Sequence, residues 1–248
     1  MALQRALVLV DSFIRRLHEF VLGDPQHFSV NFHFMHRAVI KLHGIGGRTI
    51  TKAIQHDLHV IESFNPDIVI IQLGSNDLTS ETALPVGSAI DDFVRLLHDV
   101  YHVQVIYVCQ TIMLLHQSAF NRKAKLLTKY LRVVLEPIPY AHFWGHRGFW
   151  RPSNNIYVRN GVHLNLKGQK KFYRSLKGAI FGGLEHDYRS HLKIFLSYIP
   201  CLREPKTFVC ASPCFNLLFC CEPFYNLVKP LLCYWAFIMA THDLTTVH

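Results

Sequence analysis

The amino-acid sequence predicts an α/β fold, a three-layer α/β/α sandwich in which a mostly parallel sheet of about five strands lies between two layers of helices. The first observation is that short apolar segments alternate with segments of helical periodicity up to about residue 182. The second is the almost continuously apolar segment 67–73, which is typical of a strand covered on both faces. The third is the length of the helical segments, since parallel strands need long crossover connections.

Each predicted element follows from its own pattern. The predicted strands are residues 6–10, 38–42, 67–73, 103–108 and 141–144, the last of which is weak. The predicted helices are residues 12–22, 49–61, 86–100, 119–135 and 166–180. Each helix places its apolar residues on one side, as Phe13, Leu17 and Val21 do in the first. Because Pro137 cannot continue a helix, it marks the end of the fourth helix.

The last quarter of the chain breaks this alternation. We therefore predict a domain at residues 1–184 and an apolar, cysteine-rich tail at residues 185–248. Six of the seven cysteines lie in this tail, at a spacing that matches no common zinc site. Its apolar runs are shorter than the roughly 18 residues that a membrane-spanning helix needs. The composition favours a loosely packed tail, with weak adhesion to a membrane as the alternative.

Positive charge is concentrated in one part of the chain. The net charge is +9, and residues 122–177 contribute 13 basic residues against one acidic residue. Such asymmetry can indicate a polyanionic partner, either nucleic acid or an anionic membrane. The simpler interpretation is two solvated helix faces, since no aromatic residues are interleaved as in nucleic-acid motifs. The apolar run at residues 6–10 is too short for a signal peptide, so the default expectation is a cytoplasmic protein.

Four short motifs follow predicted strands or precede the last helix. They are Asp11-Ser12, Gly46-Gly47, Gly74-Ser75-Asn76-Asp77 and Asn160-Gly161-Val162-His163. Ligands of parallel sheets bind at the carboxyl ends of the strands, which is where these motifs are expected. Singly, each has an ordinary explanation as a helix cap or a turn. Together they supply a serine, donors for an oxyanion and a histidine base, which acyl transfer requires.

The four motifs, in this order, resemble those of the SGNH (GDSL-like) hydrolases, a family of esterases and lipases. The resemblance covers roughly residues 5–181 and implies a flavodoxin-like fold. It implies that Ser12 is the nucleophile and that His163 is its general base. It further implies that the Ser12 and Gly47 backbone N–H groups and the Asn76 amide bind the oxyanion. The implied substrate is a small-molecule, lipid or carbohydrate ester, and neither a metal nor a cofactor is implied.

Two positions depart from the family pattern. Val10 replaces the glycine of the first motif, and Asn160 replaces the aspartate that orients the histidine. An asparagine is neutral and cannot support the imidazolium that forms during acyl transfer. In a serine protease, the corresponding change from aspartate to asparagine lowers turnover by about 10⁴. Two hypotheses remain open: an esterase slowed by Asn160, or a binding module with little activity and a basic surface.

Overall fold

A five-stranded parallel sheet forms the centre of the protein. The structure is a computed structural model that describes the backbone of residues 3–197 and the side chains of residues 3–9 and 11–186. The strands are β1 Gln4–Val10, β2 Ala38–Gly44, β3 Ile68–Gln72, β4 Val105–Cys109 and β5 Ala141–Trp144. Their spatial order is β2-β1-β3-β4-β5, and all four neighbouring pairs are parallel. The predicted fold class is confirmed.

The helices connect successive strands and cover both faces of the sheet. They are α1 Ser12–Gly23, α2 Ile50–His56, α3 Leu58–Phe64, α4 Asp77–Ser80, α5 Ala83–Asp99, α6 Ser118–Leu135 and α7 Leu166–Ser197. A single 3₁₀ turn, Asn154–Ile156, lies in the loop before α7. Most predicted elements agree with these bounds to within three residues.

Alternating strand residues divide the core into two layers. In β1, Leu7 and Leu9 face the layer formed by α2, α3, α5 and α6, whereas Ala6 and Val8 face α1 and α7. All four side chains are essentially inaccessible to solvent. This alternation with a period of two residues is what a strand buried on both sides produces. The helices α6 and α7, which carry ten of the 13 basic residues of segment 122–177, therefore lie on opposite faces of the sheet.

The predicted helix at residues 49–61 is two helices, α2 and α3, separated at Asp57. The Asp57 side chain is buried and is bound by Arg48 Nε at 2.8 Å and by His43 Nε2 at 3.1 Å. A buried carboxylate is costly unless it is paired, so these partners fix its position. The helix breaks at Asp57, and the periodicity of the sequence contains no sign of this long-range constraint.

The helix α7 extends well beyond the predicted end at residue 180. Gly182 and Gly183 do not end it, because they allow close packing against the sheet. A Cβ atom at Gly182 would lie 2.9 Å from the Tyr107 hydroxyl, and one at Gly183 would lie 2.8 Å from Ile68. None of the described helices, α7 included, has the length and apolarity needed to cross a membrane. The tail cysteines lie outside the described residues, and the domain boundary at 184 stays a prediction.

A buried hydrogen-bond network fixes the end of β5 against the sheet. His146 is fully buried, with Nε2 2.6 Å from Gln72 Oε1 and Nδ1 2.9 Å from Ser175 Oγ. Gln72 donates its amide to the carbonyl of Gln110, and Trp144 donates its indole N–H to Ser175 Oγ. The Gln72 oxygen can only accept, so Nε2 of His146 carries the proton and donates it. The Ser175 hydroxyl can then donate to Nδ1, and the imidazole is neutral. Burial lowers the pKa of His146 from 6.5 to about 3.

Replacement of His146 by glutamine should change how stability depends on pH. Because His146 stays neutral when folded, the unfolded chain takes up the extra proton below pH 6.5. Its contribution to stability is therefore full above pH 6.5 and falls by about 1.4 kcal/mol per pH unit toward its folded pKa. Urea unfolding at several pH values should show this slope in the difference between the wild type and His146→Gln. The buried Asp11 has the opposite effect but is common to both proteins, so it cancels.

The control is His59→Gln, which changes an exposed histidine and should leave the curve of the wild type unchanged. Parallel curves for the wild type and His146→Gln would contradict a neutral, buried His146.

The end of β2 packs directly against the first turn of α1. We therefore expect alanine to change the free energy of unfolding at Gly44 but not at Gly46. A Cβ atom at Gly44 would lie 2.6 Å from the Arg15 backbone nitrogen and 3.0 Å from Ile14. Gly44→Ala should therefore lower the free energy of unfolding by about 1–3 kcal/mol, the usual cost of overpacking. At Gly46 the nearest atom would be Arg15 Cζ at 4.0 Å, so Gly46→Ala should change little. Urea unfolding of both variants tests the contact, and equal midpoints would contradict it.

Candidate active site

The predicted site lies at the ends of β1 and β3, two adjacent strands after which the chain continues to opposite faces of the sheet. Val10, at the end of β1, pairs with Gly44 of β2 on one side and with Gln72 of β3 on the other. In a doubly wound sheet of this order, the space between β1 and β3 is the switch point at which ligands bind. The loops that follow β1, β2 and β3 carry three of the four motifs. The topology therefore brings the first three motifs to one sheet edge.

Asp11, and not Ser12, caps the first helix. The Asp11 carboxylate accepts the Phe13 N–H at 3.0 Å, and Ser12 is the first residue of α1. The Ser12 hydroxyl is therefore not used as a cap, and its N–H belongs to the free donors of the first helical turn. Burial raises the pKa of Asp11 to about 6, partly offset by the hydrogen bond from the Phe13 N–H. The capping carboxylate thus fixes the backbone on which Ser12 stands.

The glycine loop after β2 is held in place by a buried ion pair. Gly47 has a φ of +69°, which favours glycine, and a Cβ atom there would meet nothing within 4 Å. The next residue, Arg48, binds Asp57 through Nε at 2.8 Å and through a terminal nitrogen at 2.9 Å. Arg48 is largely buried, so water screens this pair weakly. The exposed Gly47 backbone is consequently attached to a rigid neighbour.

Asn76 connects the loop after β3 to the same glycine loop. Its amide nitrogen donates to the Arg48 carbonyl oxygen at 2.9 Å. An amide nitrogen carries two hydrogens, so one remains for another acceptor. The neighbouring Asp77 accepts the Ile50 N–H at 3.1 Å and thereby joins the start of α2 to the loop after β3. Asn76 and Gly47 are therefore parts of one hydrogen-bonded unit.

His163 reaches the first helix from the loop before α7. The loop is held by a bridge between Tyr157 and Leu164 and by the Val158 N–H, which donates to the His163 carbonyl at 2.9 Å. The imidazole meets the Phe13 ring edge to face, with 6.4 Å between the centroids. Phe13 directly follows Ser12, so His163 lies beside the end of α1 that carries the serine. No hydrogen bond joins the Ser12 hydroxyl to His163 among the described side chains.

Asn160 is directed toward the backbone of its own loop. Its side-chain oxygen accepts the N–H groups of Val162 at 2.9 Å and of His163 at 3.1 Å. The short side chains of asparagine and aspartate commonly form such local turns. The imidazole nitrogen Nδ1 of His163 is buried and has no hydrogen-bond partner. Asn160 therefore shapes the loop that carries His163, and its oxygen does not bind the ring.

The electrostatic surroundings of His163 disfavour its protonated form. Burial lowers the pKa of His163, and the positive charges of Arg16 and Arg15 lower it further. An aspartate at position 160 would act in the opposite direction, because a nearby anion favours the imidazolium. The imidazole is therefore available as a neutral base, but its cation is poorly stabilised.

Sequence reasoning proposed Ser12, Gly47, Asn76, Asn160 and His163 as the site, which stays a prediction, but it missed the residues that hold the surrounding loops. These supports are Asp57, Arg48 and His43, whereas the cap at Asp11 was one of the ordinary explanations that its motif allowed. Their motif contexts contain no signal for these pairings, since Asp57 lies within a segment of apparent helical periodicity. In the part of the chain that the structure describes, no three metal-ligating side chains cluster together.

Solved structures of hydrolases share this fold at low sequence identity. A protein from Bacteroides fragilis, provisionally identified as an acylhydrolase, is 18% identical with a TM-score of 0.57, over 73% of this chain and 88% of that chain. A GDSL-like lipase from Bacteroides thetaiotaomicron is 16% identical with a TM-score of 0.56, over 72% and 88%. A catalytic mutant of an acetylxylan esterase from Geobacillus stearothermophilus is 16% identical with a TM-score of 0.52, over 70% and 92%.

Sequence comparison gives the family. No curated protein sequence matches the chain. The family model for GDSL-like lipases and acylhydrolases matches residues 10–176, which is more than half of the chain. This range includes all four motifs and every residue of the predicted site. The chain therefore belongs to the GDSL-like lipase/acylhydrolase family.

Proposed function

We propose that the protein hydrolyses carboxylic esters with Ser12 as nucleophile and His163 as general base. The observation that supports the proposal is that the loops carrying Ser12, Gly47 and Asn76 follow β1, β2 and β3 at one edge of the sheet, with the His163 ring against Phe13, the neighbour of Ser12. Membership of an acylhydrolase family supports hydrolysis in general. Acetyl and other short acyl esters are the first substrates to test, since a structural neighbour is an acetylxylan esterase.

The reaction begins with attack by Ser12 Oγ on the ester carbonyl. A bond forms between Oγ and the carbonyl carbon, and the serine proton passes to Nε2 of His163, because Nδ1 is buried. The ester C–O bond then breaks, and the alcohol leaves with the proton returned by the imidazolium. A water molecule, deprotonated in turn by His163, hydrolyses the acyl-serine and releases the acid.

Three donors bind the oxyanion in this proposal. They are the backbone N–H groups of Ser12 and Gly47 and the free hydrogen of the Asn76 amide. The hydrogen bond from Asn76 to the Arg48 carbonyl orients the amide before substrate binds. Preorganised donors of this kind lower the barrier because they need no rearrangement, and one can be worth about 3 kcal/mol.

The weak point of the mechanism is the orientation of His163. For Nε2 to accept the serine proton, Nδ1 must carry the other proton, and among the described residues it has no acceptor. In the related serine-protease mechanism, a carboxylate accepts that hydrogen bond and stabilises the imidazolium. Without it, the productive tautomer is not selected. We therefore propose a slow Ser12–His163 pair and not an efficient triad.

A catalytically silent binding module is the second candidate. The unpartnered Nδ1 of His163 and the lowered pKa of its ring favour it. A continuous basic surface for a polyanion is not favoured, because α6 and α7 cover opposite faces of the sheet. An intact serine, oxyanion donors and histidine, all within one edge of the sheet, favour the enzyme.

Two substitutions should move esterase activity in opposite directions. Ser12→Ala should abolish p-nitrophenyl acetate hydrolysis because it removes the nucleophile. Asn160→Asp should raise kcat by about 10- to 1,000-fold, because one carboxylate oxygen keeps the turn while the other supports the imidazolium. Initial rates of the purified 248-residue protein and both variants provide the measurement.

The matched control is Asn154→Asp, which adds the same charge at an exposed position in the loop before α7 and should not raise the rate. Turnover that survives Ser12→Ala would contradict the proposed nucleophile. Absence of turnover from the wild type, Asn160→Asp and Asn154→Asp alike would favour the binding module.

The protonation of His163 should respond to Asn160→Asp whether or not the protein turns over substrate. In the wild type, burial and the two arginines lower the pKa of His163, so its ring stays neutral to a lower pH than that of an ordinary histidine. The added carboxylate should raise this pKa, because it stabilises the charged form. The ring resonances, assigned by comparison with His163→Gln and followed from about pH 4 to pH 9, give the midpoint. An unchanged midpoint would show that position 160 does not reach the imidazole.

A further inference from the structure

Two arginines share the helix face of the proposed nucleophile. Arg15 and Arg16 follow Ser12 by three and four residues, and residues at these spacings lie on the same side of a helix. The opposite side of α1 is buried in the core through Ile14 and Leu17. The serine and both guanidinium groups are therefore presented together by one turn of one helix.

Neither arginine has a strong counter-ion among the side chains that the structure describes. Arg15 approaches only Glu19 there, at 3.9 Å, and the side chains of Arg15 and Glu19 are both more than half exposed. Exposed pairs at this distance contribute little. Arg16 forms no ion pair with any side chain that the structure describes, and its Nε is shielded from solvent without a hydrogen-bond partner. The shielded Nε is out of reach of a ligand, but the Arg16 side chain as a whole is partly exposed, so its positive charge can attract an anion from outside the protein.

Both arginines lie beside residues of the proposed site. Arg15 Cζ is 4.0 Å from the position that a Cβ atom of Gly46 would occupy, so it borders the oxyanion loop. Both arginines also lie close enough to His163 to act on its charge. In the loops of the proposed site, the carboxylate of Asp11 is buried and that of Asp77 accepts the Ile50 N–H. Neither of these carboxylates forms an ion pair with the arginines.

We propose that the site selects esters that carry a carboxylate close to the scissile bond, and that Arg15 and Arg16 bind this carboxylate. This inference rests on the proposed esterase function and names its substrate class. A guanidinium fork matches the two oxygens of a carboxylate, and charge-assisted hydrogen bonds of this kind are among the stronger ones. The substrate anion supplies the counter-charge that the arginines lack in the protein.

Matched ester pairs test the selection in the full-length protein. One pair places the charge in the acyl group, as p-nitrophenyl valerate against mono-p-nitrophenyl glutarate. The other places it in the alcohol, as phenyl acetate against 3-acetoxybenzoate. For at least one pair, Arg16→Gln should lower the anionic-to-neutral ratio of kcat/KM by about tenfold or more, and Arg15→Gln should lower it as well.

A change at His163 itself would alter kcat/KM for the anionic and the neutral ester alike. It therefore cancels in the anionic-to-neutral ratio. The control is Arg95→Gln, which removes an exposed arginine on α5, on the other face of the sheet, and should leave both ratios unchanged. Ratios that are the same in the wild type, Arg15→Gln and Arg16→Gln for both pairs would overturn the inference.

A binding measurement separates this inference from the proposed function. Calorimetric titration of Ser12→Ala with glutarate needs no turnover. We expect saturable binding that weakens at least fivefold, roughly, when Arg16→Gln is added. Arginine-dependent binding without hydrolysis of any ester would overturn the esterase proposal and leave the anion site standing. Glutarate binding that is absent, or that is unaffected by Arg16→Gln, would overturn the anion site.

Discussion

Burial of both faces of the parallel sheet is the constraint on which the rest of this structure depends. Helices cover each face, so the strand residues are apolar on both sides and polar side chains have almost no place among them. Polar groups can gather only where strands end. The chain leaves β1 and β3 toward opposite faces of the sheet, which leaves a space at that edge. The start of α1, the turn at Gly47 and the side chain of Asn76 border this space. The location of the site is thus a consequence of topology before any chemistry is considered.

The supports of the site show the same dependence on long-range pairing. Asp57 breaks a helix in order to bind Arg48, and the Arg48 carbonyl then holds Asn76. Three loops that are far apart in the sequence become one unit through a single buried carboxylate. Removal of the Asp57 carboxylate would leave the Arg48 guanidinium unpaired in a largely buried position. An unpaired buried charge is strongly destabilising. The glycine turn and the amide are therefore positioned by an ion pair that takes no part in the proposed reaction.

The sequence predicted what depends on local pattern and missed what depends on distant partners. Apolar periodicity and the positions of turn residues predicted the five strands and the sheet edge that carries the motifs. They did not predict the order of the strands. The break at Asp57 depends on Arg48 and His43, and the continuation of α7 through Gly182 depends on Tyr107 in β4. Residue types led to the prediction of Ser12, Gly47, Asn76 and His163 as site residues, and it stays a prediction. The orientation of Asn160 could not be predicted, because its oxygen can serve either the imidazole or its own backbone, and the sequence does not decide between them.

In the proposed mechanism, the surroundings of His163 explain why the reaction would be slow. Burial and the charges of Arg16 and Arg15 lower the pKa of the imidazole, which makes a neutral base available, but the same surroundings oppose the imidazolium that would form when Ser12 attacks. A family aspartate would resolve this conflict from within the protein, and Asn160 does not. An anion bound to the arginines would resolve it from the substrate, since it would neutralise the charges that oppose the imidazolium. On this proposal, the absence of a carboxylate at position 160 and the two arginines, which have no strong counter-ion among the described side chains, belong to one electrostatic arrangement in which a charge on the substrate affects the charge that forms on His163.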